Sequence, residues 1–208
     1  MKRVMRTLSL ALVIAMLAVS AFADSYVPSI EQKKAMGVKT VTVTLEDGTE
    51  VKHPAADVVV TPLVDGEKLS EEDQKLLDAA YDSILEAGSV REAAPKLVEM
   101  LEKDEQGNDK PEDEKVNVDE FIVRDLVFVQ FLNEELKKDG VKVTVQFEMD
   151  VDKDEQVLVM RYAPSEEEKD TYEWVPVALD DVTVNEDGTV DVVLDGEGPF
   201  AFLVKAEK

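Results

Sequence analysis

Cysteine is absent from this chain of 208 residues. That removes disulfides, thiol nucleophiles and thiolate zinc sites, and leaves no residue on which a lipoprotein acyl chain could be placed. Histidine occurs once, as His53. A hydrolase of the triad type needs a base beside its nucleophile. His53 precedes Pro54, no Gly-x-Ser-x-Gly sequence occurs, and the residue reads as an incidental surface histidine. The 9 glycines form neither Gly-x-Gly-x-x-Gly nor a Walker sequence, so no phosphate-cradling loop is expected. Aromatic side chains are few, with one tryptophan and four tyrosines to build a sugar-stacking cleft. Basic residues are scarce as well: 23 Lys and Arg stand against 47 Asp and Glu, a net charge of −24. Nucleic acid and anionic membrane surfaces are like-charged and are excluded as partners on that ground. Cations, basic protein patches and neutral glycans remain compatible, and solubility alone accounts for much of the charge.

The N-terminus has the pattern of an export signal. Lys2, Arg3 and Arg6 precede the apolar run 8–19, and Ala21-Phe22-Ala23 is a small-x-small cleavage site followed by Asp24. The run is short of the roughly 20 apolar residues that a spanning helix needs. Cleavage after Ala23 is expected, leaving a secreted protein of net charge −27, since the three basic residues go with the signal. The last residues, Phe200–Lys208, carry no Leu-Pro-x-Thr-Gly sorting signal.

Beyond a tail at 24–37, the pattern from Thr40 alternates with period two: Val41, Val43 and Leu45 against Thr40, Thr42 and Thr44. Asp47-Gly48 predicts a hairpin turn, with return strands at 50–53 and 58–63. A helix follows, capped by Ser70 with Asp73 at the capping-box position and ended by Gly88, its apolar face formed by Leu76, Leu77, Ala80, Tyr81, Ile84 and Leu85. Ser89 and Glu92 cap a second helix carrying Leu97, Val98 and Leu101, with Pro95 predicted to kink it. Residues 104–117 are polar and acidic and read as a linker or exposed loop. The remainder predicts strands at 121–132, 141–149, 157–162, 172–177, 182–184, 190–194 and 200–204, with a short connection at 133–140. The expected layout is a signal peptide at 1–23, an α+β module at 24–103 made of a small N-terminal sheet and two helices, the segment 104–117, and an antiparallel β-sandwich of immunoglobulin-like type at 118–208.

Three pieces of the C-terminal half sit in a familiar order: Tyr172-Glu-Trp-Val-Pro-Val177, Asn185-Glu-Asp-Gly-Thr-Val190 and Gly198-Pro-Phe-Ala-Phe-Leu203. Together they resemble the small β-sandwich modules of secreted and surface proteins of Gram-positive gut bacteria. Ser25–Glu31 and Val123-Arg-Asp-Leu126 look like parts of the same group. The resemblance implies a fold and a cell-surface or extracellular compartment. It implies no activity.

Two features carry candidate chemistry. Asp150, Asp152 and Asp154 stand at alternate positions and could converge on calcium. An EF-hand needs glycine at its sixth position and a carboxylate at its twelfth, where this chain has Glu155 and Arg161, so the segment also reads as a solvated hairpin loop. Trp174 could be an exposed ligand platform; at strand spacing with Tyr172 and Pro176 it also reads as core. The expectation is a non-enzymatic extracellular protein with a binding, adhesion or structural role toward a protein or glycan, and with no cofactor besides the calcium candidate. The alternatives are a small secreted hydrolase with paired carboxylates of the glycosidase kind and an accessory subunit of a surface complex.

Overall fold

The computed structural model describes residues 36–104, 107–111, 115–138 and 140–206. The export signal and the tail up to residue 35 lie outside them. The described chain folds into two antiparallel five-stranded sheets with few helices. The first sheet holds β1 (Gly37–Thr44), β2 (Glu50–His53), β5 (Lys142–Glu148), β8 (Val182–Val184) and β9 (Thr189–Leu194), in the order β2-β1-β5-β9-β8. The second holds β3 (Val58–Pro62), β4 (Phe121–Phe131), β6 (Val157–Pro164), β7 (Tyr172–Pro176) and β10 (Gly198–Lys205), in the order β3-β4-β10-β6-β7.

Alternation decides the layering. Along β1, β5 and β9, Val41, Val43, Val143, Val145, Phe147, Val190, Val192 and Leu194 are all buried, and they meet Val127, Val129, Phe131, Val157, Val159, Phe200, Phe202 and Val204 of the second sheet. Phe147 and Phe202 touch edge to face across this interface, ring centres 5.0 Å apart. The strands of the second sheet are apolar in both phases. Their other face, formed by Val123, Leu126, Phe128, Leu158, Met160, Trp174, Ala201 and Leu203, is buried against a layer of helices. That layer comprises α1 (Glu71–Ala87), α2 (Val90–Ala93) and α3 (Pro95–Glu102), which contribute Leu77, Ala80, Ile84, Val90, Leu97 and Leu101.

Local signals place the elements. Ser70 accepts the amide of Asp73 at 3.2 Å to cap α1, and Gly88, at φ 75°, ends it in the left-handed conformation. Ser89 does the same for α2 with the amide of Glu92. Pro95 does not kink one helix; it is the first residue of a new one, where its missing N–H costs nothing.

The N-terminal strands do not form the separate small sheet that their sequence suggested. β1 pairs with β2 on one side and with β5 on the other, and β3 pairs with β4. Strands from both sides of residues 104–117 therefore lie within each sheet. In the pairing observed, Val41 and Val43 of β1 are buried in one core with Val127, Val129, Phe200 and Phe202 of the second sheet. Asp104 and residues 107–110 fold back on the end of α3. The amide of Asp104 bonds to the Asn108 carbonyl at 2.8 Å, and that of Lys110 to the Glu102 carbonyl at 2.8 Å.

Candidate functional site

The acidic turn was the sharpest chemical candidate. Asp150 has φ 57°, an uncommon conformation for a residue with a side chain. It sets Val151 into the sandwich core, where the valine is 5% exposed, and leaves Asp150, Asp152 and Asp154 outside. The Val151 amide reaches the carbonyl of Gly188 at 3.3 Å. Gly188 lies at φ 77°, where a side chain would be strained, and its Cβ would stand 3.1 Å from the Val151 carbonyl oxygen, so the position favours glycine. Within the turn, the Glu155 amide donates to the Asp152 carbonyl at 2.8 Å and the Asp152 amide to the Glu155 carboxylate at 3.3 Å. The three aspartates are thus not brought together. Of them only Asp150 lines the neighbouring cleft, and no group of three His, Cys, Asp or Glu among the described residues is placed to hold a metal.

That cleft, about 590 Å³, lies at the end of the sandwich between Met36, Lys39, Arg124, Glu148, Asp150 and Asp187. Its cations are engaged. Lys39 stands on a bulge of β1, since the register against β5 slips between Val38 and Thr40, and its ammonium pairs with Asp187. Asp187 also accepts the Thr189 hydroxyl at 2.6 Å and the Thr189 amide at 3.2 Å. The Lys39 hydrogen bond first, then Thr189, lowers the Asp187 carboxyl to about 2. Arg124 sits at a second bulge, where β4 slips against β10, and its Nε donates to Asp125 at 2.8 Å. Its Nη2 donates to the Met149 carbonyl.

Trp174 is 2% exposed and lies under the helix layer. It is a core residue, not an exposed platform. Its indole N–H donates to Ser83 Oγ at 2.9 Å, and that hydroxyl donates to the Ala80 carbonyl at 2.7 Å. Tyr162 lies against the indole with centres 5.1 Å apart, and Tyr172 stacks on Tyr162 at 5.5 Å and 22°. Burial raises the pKa of Tyr162, against a hydrogen bond to Ser83 that lowers it. The only ring of the three well out in solvent is Tyr172, which sequence reasoning used solely as evidence that Trp174 was core.

His53 is no loose surface residue. Its Nδ1 stands 3.2 Å from Asp57 Oδ2, which also accepts the Asn133 amide at 2.9 Å. The Asn133 bond first, then His53, lowers the Asp57 carboxyl. The trio ties β2, the start of β3 and the end of β4 together.

The remaining feature is the outer face of the first sheet. Pairing brings Thr40, Gln146, Asp191 and Thr183 into one row across four strands, and Lys52, Thr42, Thr144 and Val193 into the next. Neighbours in a row are about 4.8 Å apart. Thr40 Oγ1 donates to Gln146 at 3.4 Å. On this face Lys39, Lys52 and Lys142 stand against Glu50, Glu148, Asp187 and Asp191, and the carboxylates of Asp187, Glu148 and Asp191 all raise the pKa of Lys39, Asp187 most. The face is close to charge-balanced on a protein of net charge −24. The chain matches no family model, no curated protein and no solved structure.

Proposed function

We propose that this is an exported, non-enzymatic binding protein, and that the outer face of the first sheet takes a neutral, hydroxyl-rich polymer of the glycan class. The observation that carries the reading is the face itself: a row of hydroxyl and amide groups in register, locally balanced in charge, left open on a body whose other sheet is covered on both sides. Hydroxyls and amides both donate and accept, which is what a polyol needs, and a balanced face neither repels nor concentrates ions. Export rests on the residues 1–23, and the likeness to Gram-positive surface modules agrees with it. The test uses protein recovered from culture medium, expected to begin at Asp24, and its retention on a panel of insoluble neutral polysaccharides. Retention on at least one, equal at 0.15 M and 1 M salt, and lost in Thr144→Arg, is the expected result. Retention that vanishes with salt, or that Thr144→Arg leaves unchanged, would refute the face as the binding surface.

A further inference from the structure

At the opposite side of the molecule, the β6–β7 hairpin combines three things that no structural need requires together. Tyr172 is 45% exposed, the only aromatic side chain among the described residues that stands so far in solvent. One of its ring faces is taken by Tyr162, which rests on Trp174, itself fixed by the Ser83 hydrogen bond. The outer ring is therefore held rigid by a stack that runs into the core, and a ligand that lies on it pays little to order it.

The loop that delivers Tyr172 is strongly acidic. Glu166, Glu167, Glu168 and Asp170 are all exposed, with Lys169 the one base among them. The loop is ordered by its own bonds. The Ser165 amide donates to the Thr171 carbonyl at 2.9 Å, the Thr171 hydroxyl to the Glu168 carbonyl at 2.8 Å, and the Glu167 amide to the Ser165 hydroxyl at 3.2 Å. Asp170 adopts φ 65° immediately before the return strand. Glu173 pairs with Lys96 at 2.9 Å, and Glu166 and Glu167 also act on that ammonium, so Glu168 and Asp170 are the loop carboxylates most open to a partner.

We infer that Tyr172 and this loop dock an arginine side chain of a basic partner protein. A guanidinium is the one protein group that uses both halves of the site: it is planar, lies flat on an aromatic ring, and presents a fork of donors to carboxylates. A lysine ammonium meets the charge but cannot stack in the same way. The site belongs to the edge strand of the second sheet, not to the first-sheet face proposed for glycan, and stands or falls independently of it.

The purified chain is titrated with two fluorescent peptides, one alternating glycine with arginine and the other glycine with lysine, at 0.15 M salt. A glucosamine oligomer serves as a cationic ligand of another class. The arginine peptide should bind about tenfold more tightly than the lysine peptide. Tyr172→Phe should keep that preference. Tyr172→Leu, which retains apolar packing on Tyr162 without a π face, should reduce it to about one. Equal affinity for the two peptides, or a preference that survives Tyr172→Leu, would overturn the assignment. Tighter, Tyr172-dependent binding of the glucosamine oligomer would overturn it in favour of an amino sugar. Thr144→Arg on the other sheet should change neither peptide's affinity.

Discussion

The second sheet is buried on both faces, between the first sheet and the helices, whereas the first sheet is buried on one. Strand sequences record the difference. β10 reads Gly-Pro-Phe-Ala-Phe-Leu-Val-Lys, with seven of its eight residues buried, and β1 reads Gly-Val-Lys-Thr-Val-Thr-Val-Thr, with two. A strand between two layers has no polar phase to spare, so nearly every substitution there disturbs packing. A strand with one open face has a set of positions free of packing duty, and a binding surface can be built on those without cost to the fold. Packing duty and free surface are in this way divided unequally between the two sheets.

The sharpest way to break that division is a pair of alanine substitutions. Trp174→Ala, on the second sheet, removes a buried ring and leaves Ser83 without its donor; it should cost about 3–5 kcal/mol in urea unfolding. Thr144→Ala, on the open face of the first, should stay within about 0.5 kcal/mol. If the two costs were similar, the open face would be packed against something and the contrast between the sheets would fail.

A smaller effect concerns the rim of the first sheet. The folded-state pKa of Asp187, about 2, lies below the roughly 3.9 of an unfolded aspartate. A depressed carboxyl contributes stability that is complete above the unfolded value and is lost as pH falls through the folded one. The native chain should therefore be somewhat more stable than Asp187→Asn at pH 5, and the gap should close between about pH 4 and pH 2. Because the pair is half-exposed, 1 M salt should shrink the gap further. A gap as large at pH 2 as at pH 5 would mean that the Lys39–Asp187 pair is not its source.

The smallest effect is expected at the acidic turn. Calcium and magnesium should raise the melting temperature slightly and equally, by screening a strongly negative protein, and Asp152→Asn should not alter either gain. A calcium-specific gain abolished by that substitution would show that the three aspartates converge after all.

Much of the local structure was legible before any coordinates. The Asp47-Gly48 and Asp187-Gly188 turns, the Ser70 and Ser89 caps and the alternation of β1 and β5 follow from backbone preferences that act within a few residues. What could not be read was pairing. The valines of β1 declare that one face is buried and say nothing about whether β2, β3 or β5 buries it; register is decided by contacts a hundred residues away. The helices gave a hint that was missed, because an apolar stripe such as Leu77, Ala80 and Ile84 needs a cover, and the doubly apolar strands 121–132 and 157–162 were the only broad one on offer. Sites suffered for the same reason. Alternate aspartates at 150, 152 and 154 suggest convergence only until Val151 is seen to plunge into the core between two of them. Alternation could not tell Trp174 from Tyr172 as the exposed ring, because the two share one face of β7; Trp174 is buried under the helix layer and Tyr172, at the start of the strand, is not.

The interleaving of the strands also dictates when the protein can fold. β1 waits for β5, β5 for β9, and β4 for β10, so the first sheet lacks its centre until residues 142–148 are in place and the second until residues 198–205. Pairings of such sequence separation form slowly, because the closing of long loops precedes any gain from contact. During synthesis the first hundred residues have no finished sheet to join and no disulfide to hold a partial one. Late closure leaves the early strands unpaired through most of synthesis, and β10 acts as the latch that completes the second sheet.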